Sequence, residues 1–490
     1  MKLDRRLILI SLLATVIYGL YIFLGPQHIA LPLPAYPKDE ALTKVQTELE
    51  QLELPIIEKS ELYYTDVIAN SSVGRYVERN IVSEDELLSL QEDISLYSYE
   101  VASINRSYKY DMAKEKLTRA ENIYLQVDEE QFVKDYFGEQ FTPKGKESSD
   151  SIFVDWEMKK TYVADTNNDD VINVVDIYLE DDAIIAFEQY GVALGFPKEE
   201  ESTLLIVASL FIIAFLIGLV LFVTIHLIIK LVKKEIEAFW EPFFLSVAAA
   251  IGWLFVNNAL GINLFGLGII EPLIMIYLTF GTLLIRWKRD ERRLTERLAT
   301  LQPSVVHGLL LMVIAIVLAE GFFYIASYFD TWVSPVTMYN VLIELNIWYI
   351  PIFTLFIGLS AAITEEAIFR NYMVPLFEKV GVFFALIATS FFWGILHVGY
   401  DMYPWFLYVL EFFILTGPFF FFVYKRYGFS TAVFMHYFYN AWVTTLFLFS
   451  VDIKVAIVSL LVMFSPFLLF LIRTGQLHND SSGNFGTLSE

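Results

Sequence analysis

Ten runs of 18 to 26 residues carry almost no charge, and they leave this chain few ways to fold. They cover residues 7–24, 204–229, 243–260, 265–285, 305–329, 342–363, 380–397, 405–424, 432–449 and 455–472. Each is near the ~20 apolar residues that a helix needs to cross a bilayer core. The expected fold class is a multi-span α-helical membrane protein, with about ten transmembrane helices and an α+β domain inserted after the first. Hydrophobic types make up 56% of the 490 residues, above the 45–50% usual for soluble domains. A purely soluble enzyme and a disordered scaffold are thereby excluded.

Charge divides the chain. Residues 38–201 hold 38 Asp and Glu against 16 Lys and Arg, which accounts for all but one unit of the net charge of −23. Such a charge repels phosphate backbones and no basic groove motif is present, so no nucleic-acid partner is expected. Cysteine is absent, which removes disulfides, thiolate metal sites and a Cys nucleophile.

The first run follows Lys2, Arg5 and Arg6 and is longer than a secretory h-region, so it is read as an uncleaved anchor with a cytoplasmic N-terminus. Lys230, Lys233 and Lys234, the basic stretch 286–297, and Lys425 with Arg426 follow the second, fourth and eighth runs, in keeping with that orientation. The expected organisation is an anchor (1–28), an acidic extracytoplasmic α+β domain (29–201), helices with a basic cytoplasmic loop (202–300), a chemistry-bearing core (301–473) and a polar disordered tail (474–490). The setting is a cell membrane, most simply a bacterial plasma membrane. Residues 29–37 form a proline-rich spacer. The pattern reads as mostly helical from 39 to 131 and as strands from 151 to 191, with Glu180-Asp181-Asp182 as a hairpin turn. No internal repeat is visible.

Ionisable groups inside membrane runs cost several kcal/mol, about 3 on insertion scales, and are functional candidates by default. Glu365 and Glu366 end an apolar run. Glu366 and Arg370 are spaced i, i+4 and can pair on one helix face. Glu365 points about 100° away with no local counter-ion, which suits a general base. An interfacial salt bridge accounts for the same pair equally well. His397 ends the seventh run, one helical step after Gly394. His436 and Asn440 share a face at i, i+4; they suit an oxyanion, a metal, or a helix–helix hydrogen bond. Glu271, Glu320, Glu344 and Glu411 are further intramembrane acids without identifiable partners. His226, His28, His307 and His478 read as interface or loop residues.

The order of the three clusters, EExxxR, then FxxxxxH, then HxxxN, resembles the CPBP family of intramembrane proteases, which comprises type II CAAX prenyl endopeptidases and the bacterial Abi relatives. The resemblance covers about 342–449, a fifth of the chain. It implies an all-helical membrane core with a water-filled cavity, and peptide-bond hydrolysis without a Ser or Cys nucleophile. It assigns activation of the attacking water to Glu365 and His397, and oxyanion stabilisation to His436 and Asn440. Glu366 and Arg370 complete the signature as a structural pair. Two versions stay open: a zinc site on Glu365, His397 and His436 with water in the fourth position, or a metal-free glutamate mechanism. HExxH, GxSxG and GxGD signatures are absent.

The resulting expectation is an intramembrane (metallo)endopeptidase acting on a peptide or membrane-protein substrate, with cationic, bacteriocin-like peptides favoured by the acidic domain. The alternatives are a non-catalytic peptide-binding immunity or chaperone protein on the same scaffold, and a proton-coupled transporter using Glu271, Glu320 and Glu411. Alternating passage through ten spans puts His397 and His436 near opposite faces, which conflicts with a shared ion. A separate run, Asp165-x-Asn167-x-Asp169 with Asn173 and Asp176, looks like a calcium loop of the EF-hand or dockerin type. It lacks the glycine expected at Asp170, and an acidic β-turn reads the same residues.

Overall fold

The computed structural model describes residues 5–24, 38–55, 71–81, 84–96, 98–102, 106–111, 114–148, 156–196, 203–259, 270–292, 294–329, 331–333, 341, 345–398, 400 and 402–471. The proline-rich spacer, the tail, Glu344, His28, His478 and the side chain of Glu271 lie outside them.

Among the described residues, six helices are long and apolar enough to cross a membrane: Arg5–Ile22, Thr203–Val232, Trp240–Asn257, Leu294–Phe329, Ile347–Phe377 and Leu407–Tyr427. The pair Ile453–Met463 and Ser465–Leu471, bent by 44°, makes a seventh if it is one span. Of the expected ten, six or seven meet that length and composition, and each of the others falls short of it for a local reason. Pro272–Arg286 and Val382–Ile395 are apolar but short. Fourteen residues rise only about 21 Å at 1.5 Å per residue, against a core of about 30 Å. Phe429–Leu448 has the length, 20 residues, but His436, Tyr437, Tyr439 and Asn440 dilute its hydropathy. It is instead a core helix, with Met435, Phe438 and Ala441 fully buried.

Two glycines seat that helix. A Cβ on Gly308 would lie 2.7 Å from the Cβ of Phe434 and 2.9 Å from the Met435 amide nitrogen. One on Gly358 would lie 2.9 Å from the Tyr437 carbonyl oxygen. Phe429–Leu448 is thus held against both Gln302–Ala326 and Ile350–Glu365 at backbone distance, as small residues permit in lipid.

Between the first two helices of the membrane set lies a seven-stranded antiparallel sheet, in the order β1-β2-β3-β7-β6-β5-β4. The strands are β1 (Ser98–Ala102), β2 (Ser107–Asp111), β3 (Lys116–Leu125), β4 (Thr142–Ser148), β5 (Met158–Asp165), β6 (Val171–Glu180) and β7 (Ala183–Ala193). The helical expectation for 39–131 fails over β1 to β3. Tyr99, Val101, Tyr108, Tyr110 and Leu117 are buried at alternating positions, the period of a strand. The β6–β7 turn falls on Asp181 and Asp182, both at positive φ (49° and 59°), the geometry that a two-residue hairpin demands. Exposed β4 ends the sheet with Lys144, Lys146 and Glu147, charges that discourage edge pairing.

The sheet unit meets the helices through Ser71–Asn80. Gly74 packs against the Trp332 ring, and the buried Arg75 guanidinium lies 3.7 Å from the Tyr403 ring centre. Trp332 and Tyr403 are partners in a short ribbon of β8 (Trp332–Val333) and β9 (Met402–Tyr403).

Candidate active site

The helix Ile350–Glu365 runs directly into a π-helical stretch, Glu366–Met373, a widening often found at functional sites. It delivers two adjacent glutamates to different surroundings. Glu366 is fully buried, whereas the Glu365 side chain keeps 13% of its exposure. Glu365 is therefore the one that water can reach.

Glu366 is fixed from two sides. Arg370, itself buried, places Nη1 3.4 Å from Glu366 Oε1, an ion pair without hydrogen-bond alignment. His436 Nδ1 lies 2.9 Å from the same oxygen. An ionised carboxylate only accepts, so with Glu366 charged against Arg370 the proton sits on His436 Nδ1. His436 Nε2 then faces Glu365 Oε2 across 3.8 Å, too far for a direct hydrogen bond and suited to a bridging water.

Trp393 binds the parts together. Its indole N–H donates to Glu365 Oε2 at 2.5 Å. Arg370 stacks on its ring at 3.7 Å, a cation–π contact. His436 and His397 both meet the indole edge-on, at ring distances of 5.8 and 5.9 Å. The histidines that ten alternating spans would separate thus touch one side chain, because Val382–Ile395 is too short to carry His397 to the far face. His397 Nδ1 lies 2.9 Å from the Trp393 carbonyl oxygen, which can only accept, so Nε2 is the nitrogen left free. The His397 ring stacks on Phe412 at 4.0 Å.

The structure therefore brings Glu365, Glu366, Arg370 and His436 into one contact network. His397 joins it through Trp393 and lies in electrostatic reach of Glu365. Asn440 sits half-buried one turn beyond His436, and its side chain makes no hydrogen bond among the described residues. Trp393 is the residue that sequence reasoning passed over. The available signal was a tryptophan one helical turn before His397, in an otherwise aliphatic and phenylalanine-rich run. Among the described residues, two further intramembrane acids are engaged elsewhere: Glu411 accepts from Thr416, and Glu320 from Tyr21.

Among the described residues no three His, Asp or Glu side chains converge as a metal-holding group. Glu365 Oε2 is already taken by the indole, and His436 Nδ1 by Glu366. Of the set Glu365, His397 and His436, the atoms left for an ion are Glu365 Oε1 and the Nε2 of each histidine. The calcium loop is not formed. Asp165 ends β5, the next five residues turn, and Asn173 and Asp176 lie within β6. Asp176 accepts from Thr161 and Tyr190, Asn173 accepts from Gln189, and the Asn167 backbone N–H donates to Asp93. Thr166 and Asn168 close the turn on themselves, so the acidic β-turn is what forms around Asp169.

Residues 347–442 match the Rce1-like family, described as type II CAAX prenyl endopeptidase Rce1-like. That segment is about a fifth of the chain, and it holds all six signature residues from Glu365 to Asn440 as well as Trp393. The match supports the resemblance to the CPBP family. No curated protein and no solved structure was found to match the chain.

Proposed function

We propose that this chain is a CAAX-type intramembrane endopeptidase that hydrolyses a peptide bond with a water activated by Glu365. The observation that carries the reading is the 3.8 Å gap between Glu365 Oε2 and His436 Nε2, with the histidine tautomer held by Glu366 on its other nitrogen. A water in that gap donates one proton to the Glu365 carboxylate. Its oxygen attacks the substrate carbonyl carbon, and the carbonyl π pair moves onto oxygen. The Asn440 amide is the donor available to receive that developing charge, a contribution of about 3–4 kcal/mol for a well-aimed donor, while the Nε2 atoms of His436 and His397, unprotonated in these tautomers, accept from water. The oxyanion pair then re-forms the carbonyl, the C–N bond breaks, and the departing nitrogen takes its electron pair and the proton from Glu365. No step is routed through an ion.

In this reading ten apolar segments, six of them long helices, hold the core in a cell membrane with the N-terminus on the cytoplasmic side. The acidic sheet unit stands outside and recruits a peptide or membrane-protein substrate. The test compares new protein N-termini in membranes carrying wild type or Glu365→Gln at matched expression. Cleavage products confined to wild type support the reading, and identical sets defeat it.

A further inference from the structure

The sheet unit holds a cavity that the proteolytic reading does not use. It measures about 140 Å3, and Lys114, Lys116, Asn173 and Gln189 line it, with Glu92 and Asp165 exposed at the mouth.

Gln189 is only 5% exposed. Its Nε2 donates to Asn173 Oδ1 at 3.2 Å, and Asn173 Nδ2 donates onward to the Asp93 carbonyl at 2.7 Å. This chain of amides fixes the direction of Gln189 and leaves its Oε1 buried with no donor. Native interiors seldom leave such an acceptor unpaired. The same cavity receives two ammonium groups. Lys114 Nζ donates to the Asp93 carbonyl at 2.6 Å. Lys116 Nζ lies 3.5 Å from the Tyr136 carbonyl and 5.3 Å from the Phe137 ring centre. Each ammonium has three N–H groups, so both keep donors to spare. Burial holds both lysines below their ordinary range, Lys114 at about 8. An anion beside them would favour their charged form. The acids of the lining lie apart from this pair in role: Asp93 is engaged by the Asn167 amide and side chain, and Glu92 and Asp165 are exposed.

We propose that this cavity binds an α-carboxylate with an N–H on its α-carbon. The carboxylate pairs with Lys114 and Lys116 in charge-assisted hydrogen bonds, and the N–H donates to Gln189 Oε1. A free amino acid and the carboxyl terminus of a peptide share this chemistry. In either case the rest of the ligand points to the acidic mouth, where a cationic side chain is favoured. The site stands whether or not the chain is a protease.

Calorimetric titration of the full-length protein in detergent micelles tests it with three probes: glycine, triglycine and triglycine amide. Saturable one-site binding of glycine and triglycine alike identifies a free amino acid as sufficient, and binding of triglycine alone identifies a peptide terminus. In both cases the amide binds at least about tenfold more weakly, and Lys114→Met and Gln189→Leu each weaken binding by about tenfold or more. The amide comparison needs no variant, so a folding defect cannot mask the result. Three outcomes overturn the proposal: no saturable heat at millimolar probe, which leaves water alone in the cavity; equal binding of acid and amide; or unchanged binding in folded variants.

Discussion

Glu365 and Glu366 are neighbours in sequence with different surroundings: one retains contact with water and the other does not. The indole N–H of Trp393 donates to the Glu365 carboxylate and holds it in place. A hydrogen bond to a charged group is worth about 1.5–3 kcal/mol. Trp393→Phe, which removes the donor and shrinks the buried ring, is therefore expected to lower cleavage by about tenfold or more, with a smaller loss of unfolding temperature than removal of Arg370 brings. Site-specific cleavage rates and melting curves of the purified variant check this together. Arg370→Met has the opposite profile. It leaves the Glu366 charge buried without its cation, at a cost of about 3–5 kcal/mol, and should show first as a large drop in melting temperature in detergent. The i, i+4 spacing made the Glu366–Arg370 pair legible in the sequence. The closure of His436 onto both glutamates was not, because that contact spans 70 residues and no periodicity encodes it. In the sheet unit, Lys114 titrates at about 8 among Asp111, Asp93 and Lys116, against an ordinary value near 10.5. Between those limits the unfolded chain binds the extra proton, so stability rises with pH from about 8 to 10.5. Unfolding midpoints measured across that range should rise more for wild type than for Lys114→Met.

At the scale of elements, the site depends on how closely Phe429–Leu448 approaches its neighbours. Gly358→Leu would drive a side chain into the Tyr437 carbonyl, one residue from His436. The expected result is loss of cleavage together with a lower melting temperature, whereas Gly218→Leu, where a Cβ meets nothing within 4 Å, should retain both. Hydropathy located nearly every helix of the core, since apolar runs of 18 or more residues have few other fates. It could not separate a helix that crosses lipid from one buried among other helices, because both read as apolar. Phe429–Leu448, with its histidine, tyrosines and asparagine, is buried among other helices. The helical reading of 39–131 failed for a related reason. The strands β1 to β3 are five to ten residues long, and their alternation of tyrosine and charge became decisive only once they could pair across the sheet.

The whole molecule joins an acidic sheet unit to a nearly neutral helical one, and the joint lies near the chemistry. Arg75 and Gly74 rest on Tyr403 and Trp332. Tyr403 lies six residues after His397, and Tyr400 between them stacks on the His397 ring at 5.6 Å. The concentration of negative charge in residues 38–201 was plain in the sequence, whereas its attachment beside His397 needed the folded chain. If that charge recruits substrate, cleavage of a cationic peptide should fall as salt shortens the screening length from about 10 Å at 0.1 M to about 3 Å at 1 M. A neutral peptide should be indifferent. The central claim is narrower: Glu365 activates the water that cuts a peptide bond. The most direct measurement incubates purified wild type and Glu365→Gln, reconstituted in liposomes, with candidate membrane substrates in water enriched in oxygen-18, and reads the new carboxyl termini by mass spectrometry. The account predicts one oxygen-18 in each new carboxyl terminus with wild type and a rate at least about 100-fold lower with the variant. Equal labelled cleavage by both proteins would contradict it.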